Sequence, residues 1–450
     1  MADEWSPTTL GECIDVKHGF AFKGEFIHEE PDGDILLTPG NFAIGGGFKG
    51  DKFKYYSGPD VPEFILRQGD LLVSMTDLSK DGDTLGYPAF VPKSEGGRRF
   101  LHNQRLGKIH VVASTKINTG FLHYLLCSSG YRNEILGSAT GSTVRHTSPD
   151  RIKRFEFLRP RVTEQRAIAH ILGTLDDRIE ANRRMAATLE EMARVLFRAW
   201  FVTFEPVRAK AEGRWRPGQT LPGLPASLYD LFPDRLVETE HGGIPNGWRW
   251  WLLEELAALH RAALTPGAEP DCVFEHYSIP AYDNGQEPAQ DRGETIKSNK
   301  TLVPTNAILL SKLNPESNRV WLPKARSAHP KIASTEFLCF TPNLPAGRAL
   351  LYSIFRGEPF RRALEGMVTG TSKSHQRVSP DSLLGLQVCP ARPEVFNAFE
   401  QQAWPLLDRT TACREESRIL AAQRDSLLPK LVSGAIRVKD AEGFLKARGL

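Results

Sequence analysis

The sequence predicts an α+β protein: two mixed α/β modules joined by two long antiparallel helices that form an intramolecular coiled coil. Three observations predict it. Thr140-Gly141-Ser142-Thr143-Val144-Arg145-His146-Thr147-Ser148-Pro149-Asp150 leads into an apolar strand and a long helical pattern, and Thr369-Gly370-Thr371-Ser372-Lys373-Ser374-His375-Gln376-Arg377-Val378-Ser379-Pro380-Asp381 does the same. The two Pro-Asp pairs are 231 positions apart in a chain of 450, so the repeated unit is a globular domain plus a helix. Finally, residues 163–201 contain no Pro and a single Gly and carry nine consecutive alternating steps of four and three, apolar at every position but Asn182. A 3.5-residue period held that long marks a coiled-coil seam.

Residues 1–160 form the first module. Short apolar runs punctuated by Gly and Pro read as strands: Asp34–Leu37, Asp70–Ser74 and Lys108–Val112. Gly120–Leu126 reads as a helix with Phe121, Leu122, Leu125 and Leu126 on one face. Residues 161–205 are the first spacer helix, with Thr163 as its N-cap and a seam through Ile168, Leu172, Leu175, Ile179, Asn182, Ala186, Leu189, Ala193, Leu196 and Trp200. Such a helix is about 55–60 Å long and cannot bury its stripe alone. Asn182 on the seam either fixes register at some cost in stability or turns to solvent. Residues 206–247, rich in Pro and Gly, are a linker ordered in part.

The second module, 248–392, repeats the first in pattern more than in residues. Trp248–Leu253 matches Trp5–Leu10, Asn306–Ser311 matches Gly69–Ser74, and Leu351–Phe355 matches His123–Leu126. The second spacer helix, 393–438, carries Phe399, Ala403, Leu406, Thr410, Cys413, Ser417, Leu420, Leu427 and Leu431. It is less regular: Arg424 falls on the seam, and Pro405 and Pro429 are expected to interrupt it. Residues 439–450 are a tail. Two modules sharing a scaffold but differing in side chains suit two related, non-identical targets held at a fixed separation, as in a split DNA site.

A net charge of +3 identifies no nucleic-acid binder, so affinity must come from local clusters such as Arg145, Arg151, Lys153, Arg154, Arg159 and Arg161. The six cysteines are scattered, which argues against zinc and against a disulfide framework. The N-terminal stretch reads as no signal peptide, and no apolar run approaches the roughly 18 residues that span a bilayer, so a reducing cytoplasm is the expected home. Gly45-Gly46-Gly47-Phe48-Lys49-Gly50 matches G-x-G-x-x-G but runs into a strand-like basic segment and reads as a turn. The chain has no P-loop, no H-E-x-x-H and no amino-methyltransferase [ND]-P-P-[YF] signature.

Recognition chemistry remains. Gly lets backbone approach a ligand, hydroxyls reach phosphate oxygens, and Arg, Lys and Gln read base edges. The candidate DNA contacts are Ser142, Thr143, Arg145 and His146 in the first loop, and Thr371, Lys373, His375 and Arg377 in the second. Ser74, Thr76 and Lys80 follow one apolar strand; Lys312, Asn314 and Arg319 follow its counterpart. A single polar turn before a strand means little, but two copies at the same place favour binding. Phe197 and Phe201, off the seam, either offer a docking face or close the end of the bundle.

The stretch Glu164-Gln165-Arg166-Ala167-Ile168-Ala169-His170-Ile171-Leu172-Gly173-Thr174-Leu175-Asp176-Asp177-Arg178-Ile179-Glu180-Ala181-Asn182, followed by Leu196-Phe197-Arg198-Ala199-Trp200-Phe201, resembles the central conserved region of the specificity subunits of type I restriction–modification systems. Ser227–Pro233 and Ile244–Trp248 resemble that family's lead into its second domain, and Leu427–Gly434 resembles its C-terminal conserved region. The resemblance covers essentially the whole chain. It implies two target-recognition domains, each reading one half of a bipartite asymmetric site in double-stranded DNA, and a helical spacer that sets the gap. It implies docking of two methyltransferase subunits and, through them, restriction subunits. S-adenosylmethionine, ATP and Mg²⁺ would belong to those partners, with none bound by this chain. Two other classes compete: a stand-alone DNA enzyme, against which the missing motifs argue, and a coiled-coil adaptor or a recognition subunit of a related phage-defence methyltransferase system without a nuclease.

Overall fold

A computed structural model describes residues 5–79, 81–94, 96–141, 144–240, 242–323, 328–367 and 376–446. The chain divides into two compact units, residues 1–180 with 417–450, and residues 181–416. Both are α+β.

In the first unit, strands Ile14–His18, Leu106–Val111, Leu71–Ser74 and Pro88–Phe90 form an antiparallel sheet in that order. Successive side chains of Leu71–Ser74 point to opposite faces. Leu71 and Val73 pack among Leu122, Leu125 and Ile135 of the helices Thr119–Cys127 and Ser129–Ser138. Leu72 packs with Ile35, Leu37 and Phe100 of a mixed five-stranded sheet. The central strand is covered on both faces, which is why it reads as an unbroken apolar run.

The second unit repeats this plan. Ala257–His260, Phe337–Pro342, Ile308–Ser311 and Val320–Trp321 pair in the corresponding order. Ile308 and Leu310 face Leu350, Leu351 and Ile354 of the helix Arg348–Arg356, and Leu309 faces Tyr277, Trp321 and Ala333. The five-stranded sheets share four strands, including one parallel pair, Asp34–Leu37 with Phe100–His102 and Val273–Tyr277 with Lys331–Ala333. The fifth strand sits at opposite edges: Ile27–His28 beside Lys54–Tyr56 in the first, Ala263–Leu264 beside Lys300–Leu302 in the second. The repeated Ser-Pro-Asp opens a short helix before the strand, Pro149–Lys153 and Pro380–Leu384. Ser148 caps the first by accepting from the Arg151 amide.

The two long helices are Val162–Phe201 and Pro393–Ser433. Thr163 lies inside the first turn, not at the cap. Within the first unit, Ile168, Leu172, Leu175 and Ile179 share one core with Leu420, Leu427 and Leu431. Burying a side chain of this size contributes about 1.5–3 kcal/mol. The pairing is antiparallel: Asp176 meets Arg424 and Ile179 meets Ser417. Within the second unit Trp200 and Phe201 pack edge-to-face with Phe399, and Phe201 packs at a tilt against Phe396.

Several expectations need correction. Pro405 and Pro429 do not interrupt the second helix. Both prolines are exposed, as are Gln401 and Asp425, so the carbonyls that lose a donor face water. The seam passes through buried Leu407; Leu406 is half-buried beside it, and Leu189 and Leu196 are also half-buried. Asn182 is buried on the seam, 8% exposed. The 206–247 stretch is part of the second unit's core through Val207, Trp215, Leu224 and Phe232. The tail is helical over Val438–Lys446, with Ala441 fully buried. Among the described residues no helix is long and apolar enough to cross a membrane.

Candidate nucleic-acid interface

The two polar stretches predicted separately in each module meet in the structure. In the first, Thr76–Asp77 pairs antiparallel with Arg145–His146, and the Thr147 amide donates to the Met75 carbonyl at 3.0 Å. In the second, Leu313 bridges Arg377, the Asn314 amide donates to Gln376 O at 3.0 Å, and the Val378 amide donates to Lys312 O at 3.2 Å. A tight turn is needed to return the first loop. Gly141 supplies it at φ +93°, where a Cβ would lie 2.0 Å from the Val144 carbonyl oxygen.

The same serine holds each loop. Ser74 and Ser311 are buried, and their hydroxyls donate to the carbonyls two residues on, Thr76 O at 3.1 Å and Leu313 O at 2.9 Å. Ser74, expected as a contact, is therefore a scaffold residue. Arg319 is too: its guanidinium is bidentate on Asp283 at 2.6 and 2.9 Å and only 15% exposed. Thr76 is buried against the His146 ring, Oγ1 to Nδ1 3.1 Å, while His146 itself is exposed. Arg145 is half-buried opposite Asp77. Arg377 lies on Glu336 at 2.9 and 3.1 Å and is half exposed. Lys312 and Asn314 are partly exposed, Asn314 in the left-handed region. Lys80, Ser142, Thr143, Thr371, Lys373 and His375 lie outside the described residues.

Sequence reasoning missed the groups that shape the first loop. Asp77 is 5% exposed and accepts from the Ser79 amide, the Thr84 amide and the Thr84 hydroxyl. Burial alone would raise its carboxyl pKa; the hydrogen bonds from Thr84 and Ser79 outweigh burial and hold it below the usual carboxylate value. Arg132, buried over the Tyr87 ring, donates to Gly82 O at 3.0 Å. Leu78 is left 66% exposed at the tip. The Asp77-Leu78-Ser79 Asx-turn pattern was the available signal.

In each unit a side chain near the start of a long helix holds the N-terminus of a module helix. Gln165, 1% exposed, accepts from the Asn118 amide at 2.7 Å and donates to Pro160 O at 2.8 Å. In the second unit Glu400 accepts the Ala349 and Leu350 amides at 3.0 and 3.1 Å, capping the helix that corresponds to Thr119–Cys127. Phe197, Trp200 and Phe201 are buried at 6%, 1% and 4% and close the second unit's own core. The exposed apolar residues nearby are instead Met192 and Val195, at 50% and 52%, on a groove of about 740 Å³ that also touches Leu196, Pro222 and Leu224.

The family model described as the type I restriction modification DNA specificity domain matches residues 2–191. The specificity subunit of the type I restriction enzyme HindI from Haemophilus influenzae is 24% identical over 362 residues, 70% of this chain and 77% of that one. The chain is thus similar to type I restriction–modification specificity subunits, and residues 2–191 carry the match to their DNA specificity domain. The EcoBI specificity subunit from Escherichia coli is 30% identical over 197 residues, 44% of this chain and 37% of that one. The crystal structure of an S subunit from M. genitalium superposes with a TM-score of 0.59 at 15% identity, covering 96% of both chains, and shares the fold.

Proposed function

We propose that this chain is the specificity subunit of a type I restriction–modification system and reads a bipartite, asymmetric site in double-stranded DNA, one half through each module. The observation that carries this is the duplicated crossing of two polar loops: the scaffold serine and backbone bonds are shared, but Thr76 and His146 stand where the second module has Leu313 and Arg377. A shared frame with different side chains suits two different half-sites. Phosphate contacts set register and base-edge contacts specify. Arg145, His146, Lys312 and Arg377 are the reading residues among those described.

The long helices set the gap between half-sites and carry two methyltransferase subunits, with restriction subunits joined through them, in the cytoplasm. The groove at Met192 and Val195 is the docking face, in place of buried Phe197 and Phe201. S-adenosylmethionine, ATP and Mg²⁺ act on those partners. Mapping methylated adenines in the host with and without this protein tests the reading. Adding one heptad to both helices should lengthen the recognised gap, and an unchanged gap sinks the spacer role.

A further inference from the structure

Each unit contains a tyrosine, a carboxylate and an arginine drawn from three different elements. In the first, Tyr124 of the helix Thr119–Cys127 donates to Asp176 Oδ2 at 2.7 Å, and Arg424 of the second long helix donates to Asp176 Oδ1 at 2.7 Å. In the second, Tyr352 of the helix Arg348–Arg356 donates to Glu190 Oε1 at 2.6 Å, and Arg414 donates to Glu190 Oε2. Arg356 reaches Glu190 at 3.2 Å, and Arg414 also holds Gln286 at 3.0 Å. Both tyrosines are buried, at 7% and 5%.

The duplication does not explain this likeness. The repeat would place the counterpart of Asp176 on the second long helix, where the carboxylate at the nearest offset, 232, is exposed Asp408. Both carboxylates come instead from the first long helix and both arginines from the second. Arg424 even occupies a seam position, where an apolar residue packs at less cost. Apolar contacts are non-directional and let a module rotate over a helix stripe. A carboxylate shared by two donors from different elements removes that freedom.

We propose that Asp176 and Glu190 are positioning residues, each fixing the orientation of one recognition module on its paired helix segments. This rests on the bipartite reading above. If the clamp sets orientation, loosening it blurs the gap length rather than base identity.

The test uses the full chain assembled with its methyltransferase subunits. Methylation is measured on DNA carrying the mapped site, the same site with the gap one base pair longer or shorter, and sites with either half scrambled. Tyr124→Phe and Tyr352→Phe each remove one hydroxyl and are the mild variants; Asp176→Asn and Glu190→Gln are the stronger ones. The preference of wild type for the correct gap should fall about tenfold in each stronger variant, equivalent to about 1.4 kcal/mol. The Phe variants should show a smaller loss in the same direction. Discrimination against scrambled halves should persist. A lowered melting temperature with unchanged gap preference overturns the proposal and leaves the groups merely structural, as does an equal loss on every DNA. A wild-type complex indifferent to the gap and to one scrambled half overturns the bipartite reading along with it, so the two failures are distinguishable.

Discussion

Replacing Asp77 with Asn should melt the first recognition loop. Asp77 Oδ1 takes the Ser79 amide at 2.6 Å, and Oδ2 takes the Thr84 amide and, at 2.6 Å, the Thr84 hydroxyl. An asparagine that keeps its oxygen toward Ser79 turns an NH₂ toward the Thr84 amide. The Thr84 amide then loses its charged acceptor, while the Thr84 hydroxyl keeps only a weaker neutral bond by turning to accept from that NH₂; together the change should cost about 2–4 kcal/mol. If the loop unfolds with its module, the melting temperature falls by about 4–16 °C. Discrimination at the first half-site should weaken while the second is kept. The pH sign also follows. The folded carboxyl is held below its ordinary value of 3.8, so its contribution is complete above that value and is lost as pH falls through the folded pKa. Asp77→Asn should therefore shed that part of the acid sensitivity below pH 3.8. Thermal unfolding from pH 3 to 7 and competition binding to half-site variants provide the measurement. A variant melting within about 2 °C of wild type, with first-half discrimination intact, would refute the loop argument.

Burial pushes the His102 and His123 imidazoles from 6.5 down to about 4. Each is held neutral in the fold while the unfolded chain takes up protons below 6.5, so stability is complete above that value and drains as pH falls toward 4. At pH 5 the loss is about 2 kcal/mol per histidine, and His102→Gln should flatten a pH series of melts accordingly. Gly347→Ala places a Cβ 2.1 Å from the Glu400 carboxylate carbon and displaces the cap on Ala349 and Leu350. It should cost about 2–3 kcal/mol by chemical denaturation, and adding Glu400→Ala should cost little more because both remove one cap. Arg319→Ala breaks the bidentate tie to Asp283 and should lower stability without changing DNA affinity. Arg145→Ala should weaken DNA binding and, if the contact is to phosphate, reduce the salt slope by about one; no change in binding or slope removes it from the interface.

The sequence by itself determined the duplication, the two long helices and most of the seam, because these depend on local periodicity. Leu172, Leu175, Ile179, Leu420, Leu427 and Leu431 are buried where a 3.5-residue pattern put them. Pro405 reads as a helix break in the sequence but lies inside the helix, because the ring's cost depends on whether the orphaned carbonyl meets water, which spacing does not report. The candidate loops were legible as composition, but their crossing was not: Thr76 and His146 are 70 positions apart, and only strand pairing joins them. Tertiary structure also separated scaffold from surface. Ser74 and Arg319 have the chemistry of contacts, yet one is buried and the other engaged by Asp283. A side chain's type states what it can bond; the fold decides whether a protein partner already takes that bond.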